Sequence, residues 1–319
     1  MGVIAVAGLT RITGWVFDVV SELQKRANPV KPPLLDILAP SSLAEALSLL
    51  SEHGDAARPL AGGQSLVPLL NFRLSRPDIL VDLNRIANLA YIKDVGDQIA
   101  IGAMTRERAI EESDLVRQVS PLLQEATTQI AHLPIRSRGT IGGSLANADP
   151  AAEYPAVVLA LECEIVVQSV RGERRIKAAD FFEDILTTAL APDELLTEIT
   201  VPKAPVGSGS AFVEIARRHG DYALAGVAAQ ITFANGAPTD VRLAVCGAGT
   251  TASRLTVAEE IIQRYGVGAE AIKAASDAAA ASVDPMSDLH ASADYRRRLA
   301  GVMTSQAVEK AAQRAGVRS

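Results

Sequence analysis

Cysteine is nearly missing from this chain of 319 residues. Cys163 and Cys246 are its two thiols, far apart and without metal-ligand spacing. That argues against an iron–sulfur cluster or zinc site built within the chain, and both are read as buried thiols of a reducing compartment. Histidine is scarce too. None of His53, His132, His219 and His290 stands beside a cysteine or at i, i+4 to another histidine, so neither a metal site nor a nucleophile triad is expected. Excess basic charge is lacking: Lys and Arg number 31 against 37 Asp and Glu, a net charge of −6, which disfavours a general nucleic-acid surface. No apolar run reaches the roughly 20 residues of a membrane span. Residues 2–9 and 15–20 are apolar, with Arg11 between them and no basic start or clear cleavage site. Residues 1–30 are read as an extension outside the fold, either a mis-assigned start or a subunit-contact segment. Neither G-x-G-x-x-G nor G-x-x-x-x-G-K-[ST] occurs, which disfavours Rossmann and Walker sites. No internal repeat is seen.

What the chain does have is glycine in suggestive company. Residues 59–66 read PLAGGQSL and residues 138–150 read RGTIGGSLANADP. Each segment sets glycines beside a hydroxyl residue and ahead of an apolar run. A glycine loop lets backbone N–H groups approach a phosphate, because no Cβ stands in the way. Two such loops would hold a diphosphate from both sides, and a dinucleotide is the ligand that calls for this. Gly62-Gly63 alone is weak, since many strand-to-helix turns need glycine only for positive φ.

With 48% hydrophobic residues the chain can bury a sizeable core, and its length suits two or three domains. Folded sequence begins near 31–33. Ser42 and Glu45 form a capping box, Leu43, Ala46, Leu47 and Leu50 make one apolar helix face, and Gly54 stops it. A strand at 59–61, a brief helix capped by Ser65 and a buried strand at 79–83 give a small β-α-β unit. Next come a hairpin over 91–101, a capped helix from Thr105 to Glu112 and a helical region over 115–130. The second glycine loop precedes an apolar helix through 156–161, a hairpin turning at 171–173 and a strand at 195–201 closed by Pro202. Residues 204–210 (APVGSGS) read as a linker. Strand candidates at 211–216, 227–233 and 241–246 precede three helical segments, the last over 295–312. The class expected is α+β.

The neighbourhoods of the loops carry a likeness. PLAGGQSLVPLLNFR at 59–73 and RSRGTIGGSLANADPAAEYP at 136–155 together resemble the FAD-binding medium subunit of molybdenum hydroxylases. These are carbon monoxide dehydrogenase and relatives acting on N-heteroaromatics. The likeness continues through ALAPDELL at 189–196, RHGDYALA at 218–225 and SADYRRRL at 292–299. It leaves only the N-terminal extension unmatched. It implies a two-subdomain FAD-binding fold of the vanillyl-alcohol-oxidase/PCMH type over 31–205, with subdomains at 31–88 and 89–205. An α+β C-terminal domain with a small antiparallel sheet and helices would follow over 211–319.

The likeness also implies site residues. Leu60, Ala61, Gly62, Gly63, Gln64, Ser65 and Leu66 would hold the diphosphate from one side, and Thr140, Ile141, Gly142 and Gly143 from the other. Many relatives carry His where Gln64 stands; Gln keeps a donor but not an imidazole. Ala146, Asn147 and Asp149 would run beside the ribityl and adenosine parts. Asp149 either accepts from a hydroxyl there or caps the next helix. Leu190 is an apolar wall or simply core. Arg217, Arg218 and Tyr222 fall where relatives bring a cation or an aromatic ring to the flavin; their alternatives are solvated surface and core. A cation near the N1–C2=O edge would stabilise reduced, anionic flavin, and a ring over the isoalloxazine would limit oxygen access. Asp294, Arg296, Arg297 and Arg298 are either a solvated face or a partner contact.

The activity so implied is electron transfer, with FAD in this chain and neither a catalytic side chain nor a metal. A small partner subunit would hold [2Fe–2S] clusters and a large one a molybdenum–pterin cofactor, as a dimer of heterotrimers. The complex would be cytoplasmic or held at the inner face of the membrane, and would pass electrons to an external acceptor. The large subunit would oxidise an N-heteroaromatic, CO or an aldehyde. The rivals are a stand-alone flavin reductase or oxidase of the same superfamily, and a scaffold without FAD. No dedicated base or nicotinamide site supports the first, and the intact glycines argue against the second.

Overall fold

The computed structural model describes residues 30–317, so the extension read over 1–30 lies, but for Val30, outside the described residues. Strand β1 (Asp36–Leu38), helix α1 (Leu43–His53), strand β2 (Ala57–Leu60), helix α2 (Leu66–Asn71) and strand β3 (Ile79–Asp82) form the first unit. Its strands are parallel in the order β1-β3-β2. Ser42 caps α1 by accepting from Glu45 N–H at 3.2 Å. Glu45 reaches one residue further back than expected, to Ser41 N–H at 2.8 Å. Ser65 stands at the N-cap of α2, but its hydroxyl makes no capping bond. β1 leaves no signal in the sequence because Asp36 and Ile37 are exposed on a sheet edge.

The middle of the chain builds a second sheet. β4 (Ile92–Asp94) and β5 (Gln98–Gly102) form the expected hairpin. Helices α3 (Glu107–Glu112), α4 (Asp114–Val119), α5 (Pro121–Gln129), α6 (Leu133–Arg136), α7 (Ile141–Asn147) and α8 (Glu153–Ala160) follow. Then come β6 (Glu164–Ser169), β7 (Gly172–Lys177), the separate pair β8 (Phe182–Asp184) and β9 (Thr187–Thr188), and β10 (Leu195–Pro202). The sheet order is β4-β5-β10-β6-β7, antiparallel throughout. The helical region expected over 115–130 is two helices, broken where Ser120 meets Pro121. Thr105 caps nothing: its hydroxyl donates to Tyr91 O at 2.9 Å and accepts from Tyr91 N–H at 3.0 Å. α8 is buried on every side, as an apolar all-round helix must be.

The last sheet runs β11 (Ser208–Ile215), β12 (Ala225–Ala234), β13 (Ala237–Cys246) and β14 (Ser253–Arg254), antiparallel and in that order. Both its faces are covered. Phe212, Ala228, Ala244 and Cys246 join the central core with α5, α8 and the second sheet. Ala211, Val227, Ala229, Leu243 and Val245 face α9 (Thr256–Tyr265), α10 (Ala269–Ser282) and α11 (Ala293–Arg314). The alternation explains why β12 reads as a continuous apolar run. The linker expected over 204–210 ends at Gly207, because 208–210 already belong to β11. Gly209 serves close packing: a Cβ there would run into the Ala311 carbonyl on α11. Among the described residues no helix is long and apolar enough to cross a membrane.

Candidate functional site

Both glycine loops lie at one place. The first links β2 to α2, and the second enters α7 through Thr140. Gly62 lies hard against the second loop: a Cβ would collide with the Arg138 carbonyl and stand 2.9 Å from Gly139 Cα. A Cβ on Gly143 would stand 2.8 Å from Thr140 Oγ1 and 3.3 Å from Ala61 Cβ. Gly63 has φ +75°, a region that L side chains avoid. The seam between the loops leaves no room for side chains.

A polar clamp ties this seam together. Asn84 donates from Nδ2 to Ala61 O at 3.0 Å. Arg106 donates from Nη2 to Asn84 Oδ1 at 2.6 Å and from Nη1 to the Arg138 carbonyl. The backbone of Arg106 also bridges that of Thr140. Nothing in the sequence singles out this pair, which stands 22 residues apart.

The amides of the two loops have different fates. In the second loop Ile141 N–H donates to Thr105 O at 3.2 Å and Gly142 N–H to Ala103 O at 2.9 Å. Gly143 N–H donates to Thr140 Oγ1 at 3.1 Å. In the first loop the N–H groups of Gly62, Gly63, Gln64 and Ser65 find no acceptor among the described residues. The sequence reading puts free donors on both loops. Folding spends those of the second on anchoring α7 beside the end of β5. An anion at the seam therefore meets donors on one side and a smooth glycine wall on the other.

The seam opens on a cavity of about 760 Å³, a size suited to a cofactor. Ala61, Gly62, Gly63, Gln64, Ser65 and Leu66 line it, as do Thr140, Gly142 and Gly143. Ala146, Asn147, Asp149, Leu190 and Tyr222 complete the sequence-derived set found there. Three residues of that set lie elsewhere. Leu60 is half-buried behind Gly63, Ile141 is fully buried in the core, and Arg218 is exposed outside the cavity. Arg218 stands in a turn closed by Asp221 N–H on its carbonyl at 3.1 Å, and Arg217 pairs with Asp221 at 3.4 Å. The same turn carries Tyr222, 59% exposed, onto the cavity wall. Gly220 is packed on the His132 ring, and His132 stacks on His219 with centroids 6.2 Å apart, closing this turn over the rim. Asp149 does not cap α8, whose N-cap is Ala152; its Oδ1 accepts from Ala151 N–H at 3.0 Å.

Acid is the feature the sequence reading missed. Glu107 and Glu153 line the cavity and are 5% and 6% exposed. Burial pushes the Glu107 carboxyl up to about 7, against the pull of Arg136. Burial and then repulsion from Glu214 push Glu153 to about 8. Burial raises Asp149 as well. Both glutamates sit in the first turn of a helix, where acids are ordinary, so neither position stands out in sequence.

These residues fit FAD. The seam suits a diphosphate, Asn147 and Asp149 suit sugar hydroxyls, and Tyr222, Ile135 and Leu190 offer faces to flat rings. The comparisons with known proteins agree. Residues 33–204 match the family model of the FAD binding domain in molybdopterin dehydrogenase, and residues 210–311 that of the CO dehydrogenase flavoprotein C-terminal domain. The chain is 45% identical over 287 residues to the 6-hydroxypseudooxynicotine dehydrogenase complex subunit alpha of Paenarthrobacter nicotinovorans, covering 90% of this chain and 97% of that one. It is 41% identical over 286 residues to the caffeine dehydrogenase subunit beta of a Pseudomonas species, covering 89% and 97%. A solved chain of carbon monoxide dehydrogenase from Hydrogenophaga pseudoflava superposes with TM-score 0.87 at 38% identity, over 89% of this chain and 99% of that one. With its two glycine loops on one cofactor-sized cavity and both family models matched in order, the chain belongs to the FAD-binding medium subunits of the molybdenum hydroxylases.

Proposed function

We propose that this chain holds FAD in the cavity as the electron-transfer subunit of a heterotrimeric molybdenum hydroxylase. The seam carries this reading: opposed glycine loops, clamped by Asn84 and Arg106, with unspent amides facing a cavity of about 760 Å³. The amides of Gly62, Gly63, Gln64 and Ser65 take the diphosphate, and Gly142 and Gly143 leave room for it. Asn147 and Asp149 receive sugar hydroxyls, and Tyr222 covers the ring system. When bound, FAD supplies a centre that accepts an electron pair and passes it on. The residues of this chain bind and orient it, and no side chain needs to act as acid or base on a substrate carbon. Residues 31–205 would be the FAD-binding unit and residues 211–319 the C-terminal domain.

Substrate would be oxidised at a molybdenum–pterin centre in a large partner subunit. Electrons would cross [2Fe–2S] clusters of a small partner, reach the flavin held here and leave to an external acceptor. Similarity to proteins named for 6-hydroxypseudooxynicotine and caffeine favours an N-heteroaromatic substrate. We place two such heterotrimers together in the cytoplasm, where Cys163 and Cys246, both buried, stay reduced. The test is to isolate the native complex through this chain and assay flavin, iron and molybdenum. FAD in this chain, with iron and molybdenum in two accompanying chains, is the expected result. Full dehydrogenase activity from this chain alone would overturn the assignment in favour of a stand-alone reductase or oxidase.

A further inference from the structure

The Tyr222 end of the cavity gathers carboxyl groups from separate elements. Glu107 comes from the first turn of α3, Asp149 from the loop before α8, and Glu153 from the first turn of α8. Glu214, on β11, lies near Glu153 without lining the cavity. Glu107 is 5% exposed, lines the cavity, and leaves Oε2 without a hydrogen-bond partner among the described residues. The Oε2 of Glu214 is in the same condition. A bare carboxylate oxygen in a pocket of low dielectric is costly, so this arrangement calls for a proton or a ligand.

The cation that pulls on the Glu107 carboxyl is Arg136. Arg136 lies nearby but is engaged by Glu111 at 2.9 and 3.1 Å and by the carbonyls of Ile130 and Ala131. The other titratable groups facing the cluster are Tyr154 on α8, Cys246 on β13 and Tyr222, each raised first by burial and therefore neutral. Glu107 and Glu214 sit near 7 and Glu153 near 8. Burial is the leading cause for each, and Glu153 is also repelled by Glu214 and, less, by Glu107 and Asp149.

We infer that Glu107 and Glu153 form a proton store for the flavin: the pair takes one proton from solvent when electrons reach bound FAD and returns it when they leave. The inference rests on FAD occupying the cavity as proposed above. The arriving electron pair adds negative charge beside the carboxylates, which favours their protonated form. One O–H bond forms on a carboxylate oxygen, water supplies the proton, and oxidation reverses the step. The reductant in the complex is the reduced cluster of the small partner; in the test it is dithionite, itself oxidised to sulfite.

Glu107→Gln and Glu153→Gln keep the shape and remove the titration. The protein is prepared with FAD, flavin content is measured first, and the midpoint potential is then followed against pH by spectroelectrochemical titration. The wild-type potential should fall more steeply with pH than that of either variant, around the values near 7 and 8 where the pair titrates. Both variants should keep FAD. Equal slopes in all three proteins overturn the proton store. Loss of FAD from Glu107→Gln also overturns it, because Glu107 would then be a binding contact. Wild-type protein unable to bind FAD would sink the cofactor reading itself, and the store with it.

Discussion

Gly62 and Gly143 show how little space a cofactor seam tolerates. A Cβ at Gly143 would press on both Thr140 Oγ1 and Ala61 Cβ, at 2.8 and 3.3 Å. Gly143→Val should therefore give folded protein purified without flavin; stoichiometric flavin absorbance in that variant would remove the second loop from the site. Arg106 acts differently, by tying Asn84 to the Arg138 carbonyl. Arg106→Ala loses charge-assisted bonds and should weaken FAD binding about tenfold, or about 1.4 kcal/mol. Equilibrium dialysis against FAD measures this, and unchanged affinity would show that the clamp does not position the loops. The glycines are legible in sequence because the constraint is local: backbone approaches backbone and no Cβ fits. Asn84 and Arg106 are illegible because each has an ordinary local setting, a short 3-10 turn after β3 and a helix N-cap. Their pairing exists only after the two loops meet.

Helices α5 and α11 are joined through one carboxylate. Glu125 accepts from Lys310 Nζ at 2.8 Å, from Arg314 at 2.6 and 2.9 Å, and from Phe212 N–H at 2.9 Å. Burial alone would raise this carboxyl, but the bonds from Arg314, Lys310 and Phe212 hold it at about 2. A carboxylate with a lowered folded pKa contributes stability above its ordinary range near 4.3, lost as pH falls toward 2. Glu125→Gln should cost about 2 kcal/mol at neutral pH and flatten the acid side of the melting profile. Calorimetry from pH 7 downward checks both, and an unchanged acid limb would show that the cluster is inert. Sequence reading places helix over 115–130 and 295–312, the first of which folds as two helices. The 204–210 segment misled because Gly and Ser in a row look like a linker, whereas Gly209 is small to admit the backbone of α11.

The molecule as a whole places its least comfortable charges around its cavity. Glu153 is buried on the cavity wall and its carboxyl is pushed up to about 8. A carboxyl with a raised folded pKa gives its full stability below the unfolded value near 4.3, and loses it as pH climbs through the folded value near 8. Glu153→Gln should therefore raise stability relative to wild type by roughly 2 kcal/mol at pH 8, with the gain vanishing toward pH 4. Thermal melts of both proteins across that range test it; a gain that grows toward acid pH would refute the sign. The last sheet contributes to the same centre by packing Phe212, Ala228 and Cys246 against α5 and α8. The cavity walls thus draw on residues from Asp55 to Tyr222.

Local chemistry settled what could be known from order alone. Glycines beside hydroxyl residues, apolar periodicities, the Ser42 cap and the hairpins follow from the conformational limits of a few adjacent residues, and they sufficed to announce a cofactor fold. Tertiary structure decided which amides remain free, which guanidinium clamps the seam, that Arg218 lies outside the cavity while Tyr222 lines it, and that Glu107 and Glu153, both nearly buried, line that same cavity. Those outcomes depend on desolvation and on hydrogen bonds between distant segments, energies that arise only when the segments are brought together.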